Sequence, residues 1–119
     1  AARAETILAA LGAADIGQGC VVAGGLCLAV ETLPGTDAML TFTAQIPAAL
    51  RPTKGLFYKA PKPGQDRRID LPALGLQTVR TAAAAGLGGI CWQAGGVICL
   101  DLPAMQVEAT ARGLFLWAR

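Results

Sequence analysis

The sequence predicts an α/β fold: a mixed sheet with hairpins and helices packed on it, a layered α/β sandwich. Three observations lead there. Short apolar runs of Val, Leu, Ile and Cys alternate with Ala-rich stretches of helical spacing. Two of the apolar runs are interrupted by Gly-Gly, a hairpin signal. The length, 119 residues, suits one domain on one core, so residues 1–119 are taken as a single domain.

Each element follows in order. Residues 3–11 read as a helix, with Leu8 and Leu11 on its apolar face and Gly12 as its stop. Gly17-x-Gly19 lacks the third glycine and the following helix that a dinucleotide-binding loop requires. Cys20–Ala23 and Leu26–Glu31 flank Gly24-Gly25 as a hairpin. With that turn, Val22 is expected to face Cys27, Cys20 to face Ala29, and Glu31 to lie opposite Gln18. Continuous apolar character predicts strands buried on both faces. Thr36 is expected to cap a helix running to about Gln45, with Asp37 in its first turn, where a carboxylate suits the helix dipole. Pro47–Lys54 reads as loop and Gly55–Ala60 as strand. A helix is expected from Gly75 to Gly86. Gly95-Gly96 is read as a second hairpin turn, pairing Trp92 with Cys99 and Cys91 with Leu100. Asp101 is expected to cap a helix through about Arg112, before a last strand at Leu114–Ala118.

Composition excludes several function classes. Net charge is only +2, and no basic cluster is interleaved with aromatics, which argues against nucleic acid. No apolar run approaches the ~20 residues of a membrane span. There is no histidine, so histidine acid/base and triad chemistry within this chain is excluded. None of the four cysteines forms a C-x-x-C pair, and the expected registers bring none into a disulfide. Buried free thiols in a reducing cytoplasm are the expectation. The chain opens inside a helical pattern without an initiator Met, so a fragment of a longer protein is expected.

Against this apolar background one run is dense in charge: Lys59-Ala-Pro-Lys-Pro-Gly-Gln-Asp-Arg-Arg-Ile-Asp-Leu-Pro72. Its prolines and glycine rule out a helix and make it a poor central strand. A stiff, charged loop points to a preformed site for an anionic ligand; the alternative is a solvated surface loop. A second cluster is Glu31–Asp37, at a strand end and a helix start. Such places bind phosphates in α/β folds, because amides and the helix dipole face the ligand. Carboxylates beside Lys and Arg suit Mg²⁺ bridging to phosphate oxygens. Each acid also has a plain reading: Asp37 as a helix-dipole acid, Glu31 as a strand end, Asp66 or Asp70 as partner to an arginine.

These clusters carry a family resemblance. Asp15-x-Gly17-Gln18, Glu31 with Gly35-Thr36-Asp37-Ala38-Met39, and Lys59-x-x-Lys62-Pro63-x-Gln65-Asp66-x-Arg68-x-Asp70-x-Pro72 resemble the C-terminal catalytic domain of the LpxI family. Gly75, Thr78 and Ala94-Gly95 fit as well. The resemblance covers nearly the whole chain. It implies a cytoplasmic, divalent-metal hydrolase that splits UDP-2,3-diacylglucosamine into UMP and 2,3-diacylglucosamine 1-phosphate (lipid X) in lipid A biosynthesis. It also implies an N-terminal, nucleotide-binding domain absent from this chain, a homodimer, and peripheral contact with the inner membrane. One departure is Thr41-Phe42-Thr43, where a basic residue is expected after Met39-Leu40.

On this reading Asp66 is the first choice to bind the metal, Mg²⁺ or Mn²⁺, or to position water, followed by Asp37, Glu31 and Asp70. Arg68 and Lys62 take the diphosphate, and Thr36, Gln65, Lys59 and Gln18 contact the substrate. Phe42, Leu50, Leu56 and Phe57 are candidates for a lipid chamber, with core packing as the plain reading of each. A competing reading is a non-catalytic lipid-binding and dimerisation module, active only with its N-terminal domain. A third, an interaction domain unrelated to nucleotides, makes the charged run coincidental.

Overall fold

A computed structural model describes residues 1–62 and 71–119. The elements in chain order are α1 (Ala2–Ala13), β1 (Gly19–Ala23), β2 (Leu26–Val30), α2 (Thr36–Ala44), β3 (Leu56–Lys59), β4 (Ala73–Leu74), α3 (Leu76–Ala84), β5 (Gly89–Trp92), β6 (Ile98–Cys99), α4 (Leu102–Ala111) and β7 (Phe115–Ala118). A short 3₁₀ turn, Ala48–Leu50, lies in the stretch expected to be loop.

The main sheet has the order β2-β1-β3-β5-β7. β1 is antiparallel to both neighbours, while β3, β5 and β7 are parallel. Parallel neighbours need crossovers, and α3 and α4 supply them. The mixed α/β architecture is therefore as expected.

Alternation along the strands divides the core between two faces. Val21, Phe57 and Ile90 face α2, α3 and α4, where Leu40, Val79 and Met105 complete a fully buried cluster. Cys20, Val22, Tyr58 and Cys91 face the other way, against Ala4 and Leu8 of α1. The result is three layers: one helix, the sheet, three helices. Small residues such as Ala4, Ala82 and Ala109 let the helices lie close to the sheet and to each other. On the three-helix side Arg51 joins two helix ends. Its Nη1 donates to Ala85 O at 2.6 Å and its Nη2 to Thr43 O, placing a cation against the negative ends of α3 and α2.

Local signals were largely right about where elements start and stop. Asp101 caps α4, its carboxylate accepting from Ala104 N at 3.3 Å. Gly86, at φ 77°, ends α3. α1 runs past its expected stop at Gly12 to Ala13. The first hairpin forms, with Gly24 and Gly25 both at positive φ and Val22 opposite Cys27. A bulge between Val21 and Val22 then shifts the register by one. Cys20 faces Val30 rather than Ala29, and Glu31 N donates to Gly19 O rather than lying opposite Gln18. β1 is buried throughout; β2 is a half-exposed edge strand, not one buried on both faces.

The second hairpin does not form. β5 is flanked by β3 and β7, and β6 pairs instead with β4 in a small parallel sheet. Trp92 lies opposite Lys59 and Ala118, not Cys99, and Cys91 opposite Tyr58 and Trp117, not Leu100. With both edges of β5 taken, no antiparallel partner has a place to pair. The Gly95-Gly96 turn packs against Pro61 instead, so closely that a Cβ on Gly96 would stand 2.8 Å from the proline ring. All four cysteines are free. Burial pushes the Cys20 thiol up to about 12, and raises Cys91 and Cys99 for the same reason.

Candidate functional site

Three chain segments meet where β3 ends. Lys59 is its last residue and, by alternation, points to the same face as Phe57, toward the three helices. Gln18 and Gly19 enter β1 beside it: Ala60 N donates to Gln18 O at 3.0 Å, and Gly19 is paired with Lys59. Glu31 leaves β2 on the other side of β1. This is the carboxyl end of the parallel strands, where open α/β sheets place their ligands.

The side chains form a chain of contacts. Lys59 Nζ donates to Thr36 Oγ1 at 3.0 Å, and the Thr36 hydroxyl donates to Glu31 Oε2. Lys59 Nζ also lies 3.8 Å from Glu31 Oε2. Gln18 N donates to Glu31 Oε1 at 3.3 Å. The Lys59 and Glu31 side chains are only 11% and 12% exposed, so their charges are screened little by water. Thr36 is not the helix cap expected of it. Gly35 takes that position at φ 97°, and the hydroxyl is released to bridge lysine and glutamate. Gly17 explains the glycine pair before β1 better than any nucleotide loop does. A Cβ there would stand 2.0 Å from the Glu31 carbonyl oxygen, so only glycine lets the two segments touch.

Just beyond, Lys62 Nζ donates to Asp15 Oδ1 at 2.7 Å. That hydrogen bond, reinforced by the lysine's charge, holds the Asp15 carboxyl below its ordinary value. Asp15 was not foreseen as a site residue; only its place in the Asp-x-Gly-Gln motif drew notice.

The structure thus brings together Gln18, Glu31, Thr36 and Lys59. Asp37 stands exposed in the first turn of α2. Gln65, Asp66, Arg68 and Asp70 lie outside the described residues. Among the described residues no three His, Cys, Asp or Glu side chains gather as a metal centre. Both Glu31 oxygens already accept hydrogen bonds. Mg²⁺ takes one or two carboxylates and completes its shell with water and substrate oxygens. The described residues do not build such a site by themselves.

Of the four lipid-chamber candidates, Phe57 is wholly buried core and Leu56 packs against the α1-side cluster. Leu50 and Phe42 are 64% and 56% exposed, and Phe42 lines a surface groove beside α2. A separate cavity of about 430 Å³ opens on the α1 face of the sheet. Its two charged residues, Glu5 and Arg119, pair with each other at 2.9 Å.

The family described as the LpxI C-terminal domain matches residues 1–117. The chain belongs to the LpxI family. It is similar to the UDP-2,3-diacylglucosamine pyrophosphatase LpxI of Caulobacter vibrioides, with 45% identity over 118 residues and 96% of this chain covered. The chain spans 42% of that relative's length. The LpxI match runs through both site segments, the one ending in Thr36 and the one beginning at Lys59.

Proposed function

We propose that this chain is the diphosphate-holding half of a metal-dependent UDP-2,3-diacylglucosamine pyrophosphatase of lipid A biosynthesis. The enzyme would release UMP and 2,3-diacylglucosamine 1-phosphate. The observation that carries the reading is Lys59: a nearly buried ammonium at a strand's carboxyl end, in contact with the first residue of a helix. There it meets an anion together with the amides and positive dipole end of α2.

In this reading Lys59 neutralises charge on the diphosphate, and Thr36 and Glu31 hold its ammonium in place. Gln18 and Gln65 contact the substrate, and Lys62 and Arg68 bind the phosphate oxygens. Asp66 binds the metal or orients the attacking water, with Asp37, Glu31 and Asp70 as further metal-binding carboxylates. Mg²⁺ or Mn²⁺, when bound, supplies a Lewis acid for the phosphoryl oxygens. Two acyl chains and a nucleotide exceed what one small domain encloses, so a nucleotide-binding N-terminal domain supplies the other wall of the cleft.

Among the described residues no helix is long and apolar enough to cross a membrane. The proposed placement is cytoplasmic, with peripheral contact at the inner membrane where the acylated substrate resides. Phe115 and Trp117, 47% and 45% exposed on the edge strand β7, favour a second reading: the chain as a docking module for its N-terminal domain or a second copy, inactive alone.

UMP release tests both readings. The chain alone is expected to turn over poorly, and addition of the N-terminal domain to restore activity that EDTA abolishes. Asp66→Ala in the complete enzyme should lower turnover by about two orders of magnitude while substrate still binds. Full activity in chelator would remove the metal, and full activity of the chain alone would place every substrate contact within it.

A further inference from the structure

The Gly95-Gly96 turn closes no hairpin, yet it is tied at both ends to the charged run. It begins at Gln93, whose N–H donates to Lys59 O at 3.1 Å. It ends at Ile98, whose N–H donates to Pro72 O at 2.9 Å. Lys59 and Pro72 are the first and last residues of the run, so one short turn holds both. The turn is itself closed by Gly96 N, which donates to Gln93 O at 3.0 Å.

The two glycines are there for different reasons. Gly95 is exposed and stands at φ 76°, and a Cβ there would meet nothing within 4 Å. The backbone needs glycine at that position; the space does not. Gly96 is the reverse. It is buried and its φ lies outside the left-handed region, but a Cβ would stand 2.8 and 3.0 Å from Cδ and Cγ of Pro61. A proline ring is bonded to its own backbone nitrogen and cannot swing away as a flexible side chain does. An atom added at Gly96 therefore moves the Pro61 main chain, and Lys62 is the next residue.

We propose that Gly96 is a positioning residue: by letting the turn close onto the Pro61 ring, it sets where Lys62 stands as the chain leaves β3. The hydrogen bonds at Lys59 and Pro72 fix the separation of the two ends of the run, and the Gly96–Pro61 contact fixes the direction of its entry. Lys62 is then held from its main chain by the turn and from its ammonium by Asp15 Oδ1, 2.7 Å away. The role rests on the pyrophosphatase reading for Lys62 as a diphosphate contact. A turn that merely joined β5 to β6 would leave Gly96 open to any small residue.

Pro61→Ala removes the ring that an added Cβ would strike, so pairing it with Gly96→Ala in a double-mutant cycle isolates the contact. In the complete enzyme Gly96→Ala is expected to lower kcat roughly tenfold, as a small misplacement near reacting groups does, with KM changed less. In the double variant most of that loss should vanish, leaving kcat close to that of Pro61→Ala alone. Gly95→Ala strains the backbone but meets no neighbour, so it should lower the melting temperature and add independently to Pro61→Ala. Asp15 gives a readout that needs no substrate. In an NMR titration of the same enzyme its pKa should rise in Gly96→Ala, as Lys62 is drawn away, and return in the double variant. If the complete enzyme released no UMP while the Asp15 shift and its reversal were seen, the pyrophosphatase reading would fall and the role of Gly96 would stand. Losses from Gly96→Ala and Pro61→Ala that simply add, with the Asp15 pKa unmoved, would overturn that role.

Discussion

Lys59 and Lys62 stand three residues apart at the end of one strand, each beside a carboxylate, and they live in different worlds. The Lys62–Asp15 contact is short, 2.7 Å, but the side chains are 34% and 80% exposed. The Lys59–Glu31 contact is longer, 3.8 Å, yet both partners are almost enclosed and a threonine hydroxyl bridges them. Water and salt screen the first pair; the second sits where the effective dielectric is low. The shorter ion pair is therefore the more strongly screened one. The comparison teaches that surroundings, not separation, decide which charge the fold is built to hold.

The sharpest way to break that contrast is Lys59→Met. It leaves the Glu31 carboxylate enclosed without its cation, which should cost about 3 kcal/mol in urea unfolding. In the complete enzyme turnover should fall roughly a hundredfold. Wild-type stability and turnover in this variant would show the enclosed pair to be incidental. Gly17→Ala comes next, because its new Cβ would collide with the Glu31 carbonyl and displace the strand end that carries the carboxylate. A loss of roughly 2 kcal/mol is expected, in line with overpacking a tight contact. Thr36→Val removes only the bridge, and a cost of about 1 kcal/mol is expected from thermal unfolding. A larger effect than Gly17→Ala would mean that the hydroxyl, rather than the close approach of the two segments, organises the site.

The smallest effect belongs to the exposed pair. The Asp15 carboxyl titrates below its ordinary value because Lys62 donates to it. A carboxylate depressed in the folded state contributes stability above its unfolded pKa, and that contribution is lost as pH falls through the folded pKa. Lys62→Met should return the Asp15 pKa to the ordinary range in an NMR titration, and lower the melting temperature at neutral pH only slightly, because the pair is exposed. High salt should produce part of the same shift in the unaltered protein. A clear drop in melting temperature would place Lys62 among the enclosed charges instead.

The candidate site was half legible in the sequence. Glu31 and Thr36 drew notice in a cluster at a strand end and a helix start, where α/β folds gather ligands, and Lys59 as the first residue of the charged run. Their mutual contacts were not legible. Thr36 read as a cap, since a threonine before a helical run normally is one. Only the positive φ of Gly35, which took the cap position, freed the hydroxyl for lysine and glutamate. The role of Gly17 was likewise invisible, because nothing local says which carbonyl will pass within contact distance.

The two Gly-Gly turns mark the same boundary. The sequence by itself determined the alternation of strand and helix, the caps at Asp101 and Gly86, and a turn at each glycine pair. These are short-range properties, set by backbone freedom and the spacing of apolar side chains. Gly24-Gly25 closes a hairpin because one edge of β1 is open to the strand that follows. Gly95-Gly96 does not, because β3 and β7 already occupy both edges of β5. Which edges are free, and which lysine ends up enclosed, depends on segments far apart in the chain. Those the tertiary structure decided, because hydrogen-bonding edges and low-dielectric space are shared by the whole fold and can each be filled only once.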